Sequence, residues 1–366
     1  MIPRSVNVSI RGRDSRAWVE VDLAAVIENA RTVARAAGTR LLPMVKASAY
    51  GVGAVAVCKS LEALDPWGYG VATVQEGAEL RAAGITRPVI VFMPVPPLLF
   101  DQFHAFHLTP VLGDAESITR WTARGERAFH LEIDTGMGRS GVRSDEIDGL
   151  RDALDTPLLE GCYTQFHSAD RRDDSADRQR ERFLEAVARL PRRPALLHVA
   201  NSAAALRDRR FAFDLVRPGV FLYGGSPGEG FPEPRPVVSV RARVLGVRRV
   251  EAGESVSYHA LWTAQRPTTV ATLAIGYADG VRRSVGTSGR ASVLLRGRRC
   301  PIIGAITMDL TMVETHGHPV KVGDVATLIG ESDGARITLE EFAGWSDQLQ
   351  REVLTSLGPR LPRVYD

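Results

Sequence analysis

From Leu41 to Leu222, eight short apolar runs alternate with stretches of helical periodicity, and this rhythm narrows the fold more than any other feature. The runs are Leu41–Val45, Trp67–Val71, Pro88–Phe92, Leu108–Leu112, Ala128–Ile133, Leu158–Phe166, Ala195–Val199 and Phe213–Leu222. Between them lie amphipathic segments such as Glu116–Arg124, Asp145–Leu154 and Asp177–Leu190. Ahead of them, Trp18-Val19-Glu20-Val21 reads as a strand. Asp22 then caps a helix whose apolar residues Leu23, Val26, Ile27, Ala30, Val33 and Ala34 keep helical spacing up to a stop at Gly38. Strands that alternate with helices form parallel sheets, and eight such units predict a (β/α)8 TIM-like barrel. A doubly wound sheet is the runner-up, because periodicity alone does not count closure.

The Gly/Pro-rich stretch Gly224 to Pro236 ends the rhythm. Beyond it the apolar period becomes two, as in Val238, Val240, Ala242 and Val244, with further strands expected at Val270–Ile275, Ala291–Leu295 and Val325–Ile329 and one helix near Leu339–Trp345. Residues 1–236 are therefore expected to form the barrel, its first strand shared with a mainly β domain over residues 237–366.

Composition excludes several classes of partner. A net charge of +3, spread evenly over 366 residues, gives no footprint for nucleic acid. No apolar run reaches the roughly 18 residues that span a bilayer, and Met1 to Arg16 lacks the apolar core of a secretion signal. Cys58, Cys162 and Cys300 are odd in number and without CxxC spacing, which fits a reducing compartment, neither disulfides nor zinc, and a cytoplasmic address. No metal site is expected.

Of the 46 basic residues only Lys46, Lys59 and Lys321 are lysines. Arginine neither loses its proton at working pH nor serves as an amine nucleophile, so any lysine chemistry falls on one of these three. In a barrel the functional groups gather at the C-terminal ends of the strands. Lys46 ends the first proposed strand, Arg139 follows the fifth, Gln165 lies near the end of the sixth, Asn201-Ser202 follows the seventh, and Arg217-Pro218-Gly219 interrupts the eighth.

These residues carry a resemblance. Val45-Lys46-Ala47-Ser48-Ala49-Tyr50-Gly51-Val52-Gly53 resembles the cofactor-lysine signature of the alanine racemase family. The likeness continues in order at Asp134–Arg139, His198–Ser202, Arg217–Gly219, Val256-Ser257-Tyr258, Ile275–Gly280, Met308-Asp309 and Arg360–Tyr365. It implies a barrel joined to a β domain, pyridoxal 5'-phosphate as cofactor, and interconversion of L- and D-alanine for D-alanine biosynthesis. By that resemblance Lys46 anchors the cofactor and then acts as one base, and Tyr258, brought from the partner subunit of a homodimer, acts as the other. Arg217 faces the pyridine nitrogen, where its permanent charge disfavours transamination. Tyr50, Asn201, Ser202, Gly219 and Val220 hold the cofactor, chiefly its phosphate. Arg139 binds the cofactor's phenolic oxygen and the substrate carboxylate, and Tyr277, Met308 and Asp309 complete the amino-acid pocket.

Each position also has a plain structural reading: Tyr258 as a strand aromatic, Arg217 as a rim ion pair, Gly219 as a turn glycine. The match departs from the family pattern at Ser48, Val52, Gln165 and Pro359, and Glu132 falls where many members carry a carbamylated lysine. These departures leave open a racemase for another amino acid in a specialised pathway. A barrel-type decarboxylase or aldolase and a non-catalytic cofactor-binding protein are further alternatives, disfavoured by the pairing of Lys46 with Tyr258. Gly136-Met137-Gly138-Arg139-Ser140-Gly141 fits the dinucleotide fingerprint, but the next helix is expected only from Ser144. Gly224-Gly225-Ser226-Pro227-Gly228 fits a hydrolase elbow but runs into a Pro-rich loop, and His316-Gly317-His318 reads as a turn.

Overall fold

The computed structural model describes residues 12–366 apart from residue 126. These fall into two compact units: Ala24–Arg235, and Pro236–Asp366 together with the described residues up to Leu23.

In the first unit eight parallel strands close into a barrel: Arg40–Leu41, Tyr69–Val71, Val89–Val91, Thr109–Leu112, Phe129–Asp134, Leu159–Tyr163, Leu196–His198 and Leu215–Val216. Neighbours pair in chain order from Tyr69–Val71 to Leu196–His198. The ring closes because Leu215–Val216 pairs with Arg40–Leu41, Met44 bridges Gly70, and the Arg217 amide donates to the Ala200 carbonyl at 2.8 Å. Leu42, Ile90, Val111, Tyr163, Leu196 and Leu215 fill the interior, with Trp67 and Phe92 packed against them.

Several strands are shorter than their apolar runs. Pro43 has no amide to continue the first ladder, and Pro218 likewise ends the eighth, whose run continues as the 3-10 turn Val220–Tyr223. Outside the barrel, Leu23–Ala37 buries Ala25, Val26, Ala30 and Val33, and Gly38 at φ 68° closes it. Asn29 on that helix is buried. Its amide donates to the Arg235 carbonyl at 2.9 Å and accepts from the Arg235 amide at 2.7 Å, which ties down the chain where it leaves the barrel. The helix expected from Ser144 starts later, as the 3-10 turn Ile147–Leu150 followed by Arg151–Leu154. Asp145 instead accepts from Arg143, at 3.0 and 2.7 Å.

The second unit is mainly β. Its nine-stranded sheet runs in the order Ala335–Ile337, Val325–Ser332, Ser292–Leu295, Arg298–Ile303, Thr311–Glu314, Thr268–Leu273, Val238–Val250, Ala17–Val21, Arg363–Tyr365. Along Val238–Val250 the period-two expectation is visible directly: Val238, Val240, Ala242 and Val244 are buried while Ser239, Arg241 and Arg243 between them are half-buried. Ala17–Val21, the strand expected to be shared with the β domain, groups with this unit. Both of its backbone partners are here, Val238–Ala242 antiparallel and Arg363–Tyr365 parallel. No helix among the described residues is long and apolar enough to cross a membrane.

Candidate active site

Lys46 leaves the first barrel strand and opens an unusual turn. Ala47, Ser48, Ala49 and Tyr50 take φ of 51°, 52°, 52° and 56°, four consecutive non-glycine residues in the left-handed region. Each costs about 1–2 kcal/mol relative to a right-handed turn, so the surroundings must impose it. They do so through the backbone: the Ala49 amide donates to Val45 at 2.7 Å, Gly51 to Ala47 at 2.8 Å and Gly53 to Ser48 at 2.8 Å. A carboxylate outside the turn completes the clamp. Glu76 accepts from the amides of Ala47 at 2.6 Å, Ala72 at 2.7 Å and Thr73 at 3.1 Å. Sequence reading missed Glu76, although Thr73-x-x-Glu76 has the spacing of a capping box and forms one. Of the three lysines, Lys59 and Lys321 are exposed and Lys46 is half-buried at the barrel rim.

Beside this turn the loops after the seventh and eighth strands meet. Asn201 caps the helix Ser202–Arg207 by accepting from the Ala204 amide at 3.1 Å, and buried Ser202 accepts from the Gly219 amide at 2.9 Å. A Cβ on Gly219 would lie 2.4 Å from the Tyr50 hydroxyl, so only glycine leaves that hydroxyl room. Tyr50 stacks on Tyr223 with ring centroids 4.9 Å apart, and the Tyr223 hydroxyl donates to the Met44 carbonyl at 2.8 Å. Lys46, Tyr50, Ser202, Gly219 and the following Val220 are thereby gathered on one rim.

Arg217 is 3% exposed, and among the described residues no carboxylate stands within ion-pair distance of it. The rim salt bridge of the plain reading is absent. Its guanidinium donates instead to the carbonyls of His198, Thr164 (2.9 Å) and Val199 (3.5 Å), to Gln165 Oε1 (3.1 Å) and to His198 Nδ1 (3.1 Å). Tyr163 and Phe92 lie under its charge. Burial lowers its pKa to about 10, offset in part by Tyr163 and Glu132, so it remains a cation at neutral pH. Burial, the hydrogen bond to Glu132 and the charge of that carboxylate together push the Tyr163 phenol well above its usual range.

Arg139 is exposed on the loop after the fifth strand, its Nη2 4.0 Å from buried Glu132. Asp134 shapes that loop by accepting from the amides of Gly136 (2.9 Å), Met137 (2.8 Å) and Gly138 (3.0 Å). A cavity of about 460 Å³ opens here, lined in part by Leu112, Asp114, Glu132, Arg139 and Ser140. Gly141 is needed at its wall, since a Cβ there would meet the Glu132 side chain at 2.7 Å.

The β unit carries the other candidates. Tyr258 is 66% exposed and sits in a strained bend, with Ser257, His259 and Ala260 all at positive φ. The bend is held by Ser257, which donates to the Ala305 carbonyl at 2.7 Å, and by close approach to Gly304. Tyr277 and Met308 are also exposed. Their loops are sewn together, the Tyr277 amide donating to Thr307 and the Ala278 amide to Met308, both at 3.0 Å. Only glycine fits at position 276, where a Cβ would lie 2.4 Å from the Thr307 carbonyl. Beneath them the fully buried Asp279 binds Arg16 at 2.6 Å and lies 3.4 Å from Arg360, which also binds Asp309 at 2.6 Å. Four of the sequence motifs thus converge: those at 275–280, 308–309 and 360–365 form one cluster, and the Tyr258 bend rests on the segment leading into it.

The family model described as alanine racemase, N-terminal domain, matches residues 21–227, and the one described as alanine racemase, C-terminal domain, matches residues 237–365. The chain belongs to the alanine racemase family. An alanine racemase of Symbiobacterium thermophilum is 39% identical over 95% of this chain and 96% of the relative. Among solved structures, alanine racemase from E. faecalis superposes with a TM-score of 0.90 at 30% identity, covering 96% of this chain and 98% of that one. Alanine racemase from Bartonella henselae with covalently bound pyridoxal phosphate gives 0.87 at 29% identity, covering 96% and 100%. The family architecture, an α/β barrel with a mainly β second domain, is the one described above.

Proposed function

We propose that this chain is a pyridoxal-phosphate-dependent alanine racemase that interconverts L- and D-alanine with Lys46 and Tyr258 as its two bases. The observation that carries the reading is the rim itself: one half-buried lysine, in a chain nearly devoid of lysine, on the rim where Tyr50, Ser202 and Gly219 pack together. The donor set fits the cofactor. Backbone amides and hydroxyls after the seventh and eighth strands suit a phosphate, with Asn201 and Val220 completing that wall. A lysine amine suits an aldehyde, and a buried cation suits a ring nitrogen that is to stay unprotonated. Bound there, pyridoxal phosphate supplies an electron sink that acidifies the substrate Cα–H.

The remaining chemistry belongs to this chain's side chains. Inversion of a stereocentre needs one proton acceptor and one donor for the two faces of the carbon. We assign Lys46 Nζ to one face and the Tyr258 hydroxyl to the other. A phenol is a poor base in open water, and Tyr258 is 66% exposed in a single chain. Cover by a second copy resolves this, so the reading includes a homodimer in which Tyr258 serves the partner's site. Exposed Leu261, Tyr277 and Met308 supply apolar surface for such a contact. Arg139 is assigned to the substrate carboxylate and the cofactor's phenolic oxygen, and buried Glu132 is the fixed negative charge that orients it, in the place of a carbamylated lysine. Tyr277, Met308 and Asp309 are assigned to the amino-acid pocket.

Borohydride treatment of the holoenzyme followed by peptide mass analysis tests the anchor: the cofactor's mass is expected on the Lys46 peptide and nowhere in Lys46→Ala. A panel of L-amino acids in deuterated water, read for Cα–H exchange and D-isomer, tests the reaction and its substrate. Alanine is expected to react fastest; exchange on no amino acid would refute the enzyme, and a faster substrate would replace alanine.

A further inference from the structure

A line of hydrogen bonds crosses the barrel interior from its floor to Arg217. His198 Nδ1 lies 3.1 Å from Arg217 Nη1, His198 Nε2 lies 2.7 Å from His130 Nδ1, and His130 Nε2 lies 3.3 Å from Glu160 Oε2. Both imidazoles are fully buried, while Glu160, at the start of the sixth strand, is partly exposed. The path is built into the packing. A Cβ on Gly161 would lie 2.5 Å from the His130 ring, so glycine is what admits that imidazole. Tyr163 stacks on His198 at 5.2 Å, and Trp67 flanks His130 at 6.0 Å.

Elementary donor and acceptor rules orient every proton on this line. Arginine only donates, so His198 Nδ1 must accept and its proton sits on Nε2. That proton points at His130 Nδ1, which must therefore accept, leaving the His130 proton on Nε2 toward Glu160. A carboxylate only accepts. A second proton on either ring would set donor against donor, so the pattern of bonds leaves one proton on each ring; burial, the neighbouring His130 and the charge of Arg217 hold His198 well below the usual imidazole range.

The geometry points to Glu160 as a positioning residue for Arg217, acting through His130 and His198 from the opposite end of the barrel. It holds His130 in the tautomer that accepts from His198, which leaves His198 Nδ1 open to the guanidinium, and it sets a negative charge at the end of a polarised chain behind an arginine that has no carboxylate beside it. Glu132 is the carboxylate whose charge partly offsets the burial of Arg217. The inference rests on the reading of Arg217 as the cofactor-ring contact, but the line of tautomers stands apart from that reading.

The test uses the full-length protein labelled with 15N-histidine, its signals assigned from His130→Asn and His198→Asn variants. Both rings are expected as neutral Nε2–H tautomers. Glu160→Leu should shift the His130 and His198 nitrogens and lower kcat about tenfold with KM within about twofold, and Glu160→Gln, which keeps an acceptor oxygen, should restore most of the loss. An Nδ1–H or doubly protonated ring at either position overturns the proposal. So does a Glu160→Leu variant that melts normally and matches the parent in spectrum or in kcat. Should the parent show no racemase activity at all, the failure belongs to the functional reading, and the nitrogen signals still decide whether Glu160 governs this line.

Discussion

In the barrel unit Arg217 is buried and nearly every polar atom around it has an assigned partner, whereas in the β unit Tyr258 stands 66% exposed on a bend fastened through the neighbouring Ser257. Both are candidates for the same chemistry, yet one is over-determined by its own unit and the other is unfinished within it. The barrel half sets charge and orientation through packing that a single chain supplies. The β half supplies a group whose surroundings depend on what covers it. On the proposed function, a catalytic centre divided this way would tie activity to assembly, while cofactor binding would need the barrel rim.

The sharpest way to break the contrast is Tyr258→Phe. Racemisation is expected to fall about a thousandfold in both directions with cofactor retention unchanged, as polarimetry and cofactor absorbance would record. Full activity would mean that the β unit contributes no base. Next in size is Asp279→Ala, which removes the buried anion between Arg16 and Arg360 and should cost about 3 kcal/mol in denaturant unfolding. A loss within error would show that the Tyr277 and Met308 loops are held by their backbone bonds alone. Gly219→Ala probes the other side: the added methyl meets the Tyr50 hydroxyl, and cofactor Kd should weaken about tenfold in a fluorescence titration. Unchanged affinity would remove Tyr50 and Gly219 from the phosphate wall. The smallest effect is expected from Thr73→Ala, about 1 kcal/mol of stability by thermal melt, since the capping box loses one bond while Glu76 keeps its grip on Ala47.

The alternation of apolar runs with helical segments foretold the barrel because each strand there is sandwiched and carries its own burial signal. Lys46 stood out because lysine is scarce. The left-handed turn after it was illegible: no local preference selects four such residues in Ala-Ser-Ala-Tyr, and it exists because Glu76 and the flanking strands impose it. His130 was hidden for a related reason. On Phe129–Asp134 both faces are buried, so the inward polar set of His130 and Glu132 is masked among apolar neighbours. In the β unit, Arg298–Ile303 escaped notice because it opens with two arginines and contains Pro301, which is tolerated opposite Ser292. The helix Gln350–Ser356 has too few turns to declare a period.

The first strand among the described residues has a consequence for biogenesis. Ala17–Val21 emerges from the ribosome long before Val238–Ala242 and Arg363–Tyr365, between which it lies. At ordinary translation speeds roughly ten to forty seconds separate it from its first partner, ample time for the intervening barrel to collapse. A nascent chain must keep this apolar segment out of trouble meanwhile, and loss of Arg363–Tyr365 would leave its far edge bare. Chaperone dependence of this polypeptide should therefore trace to Ala17–Val21, and be relieved only when Arg363–Tyr365 arrives.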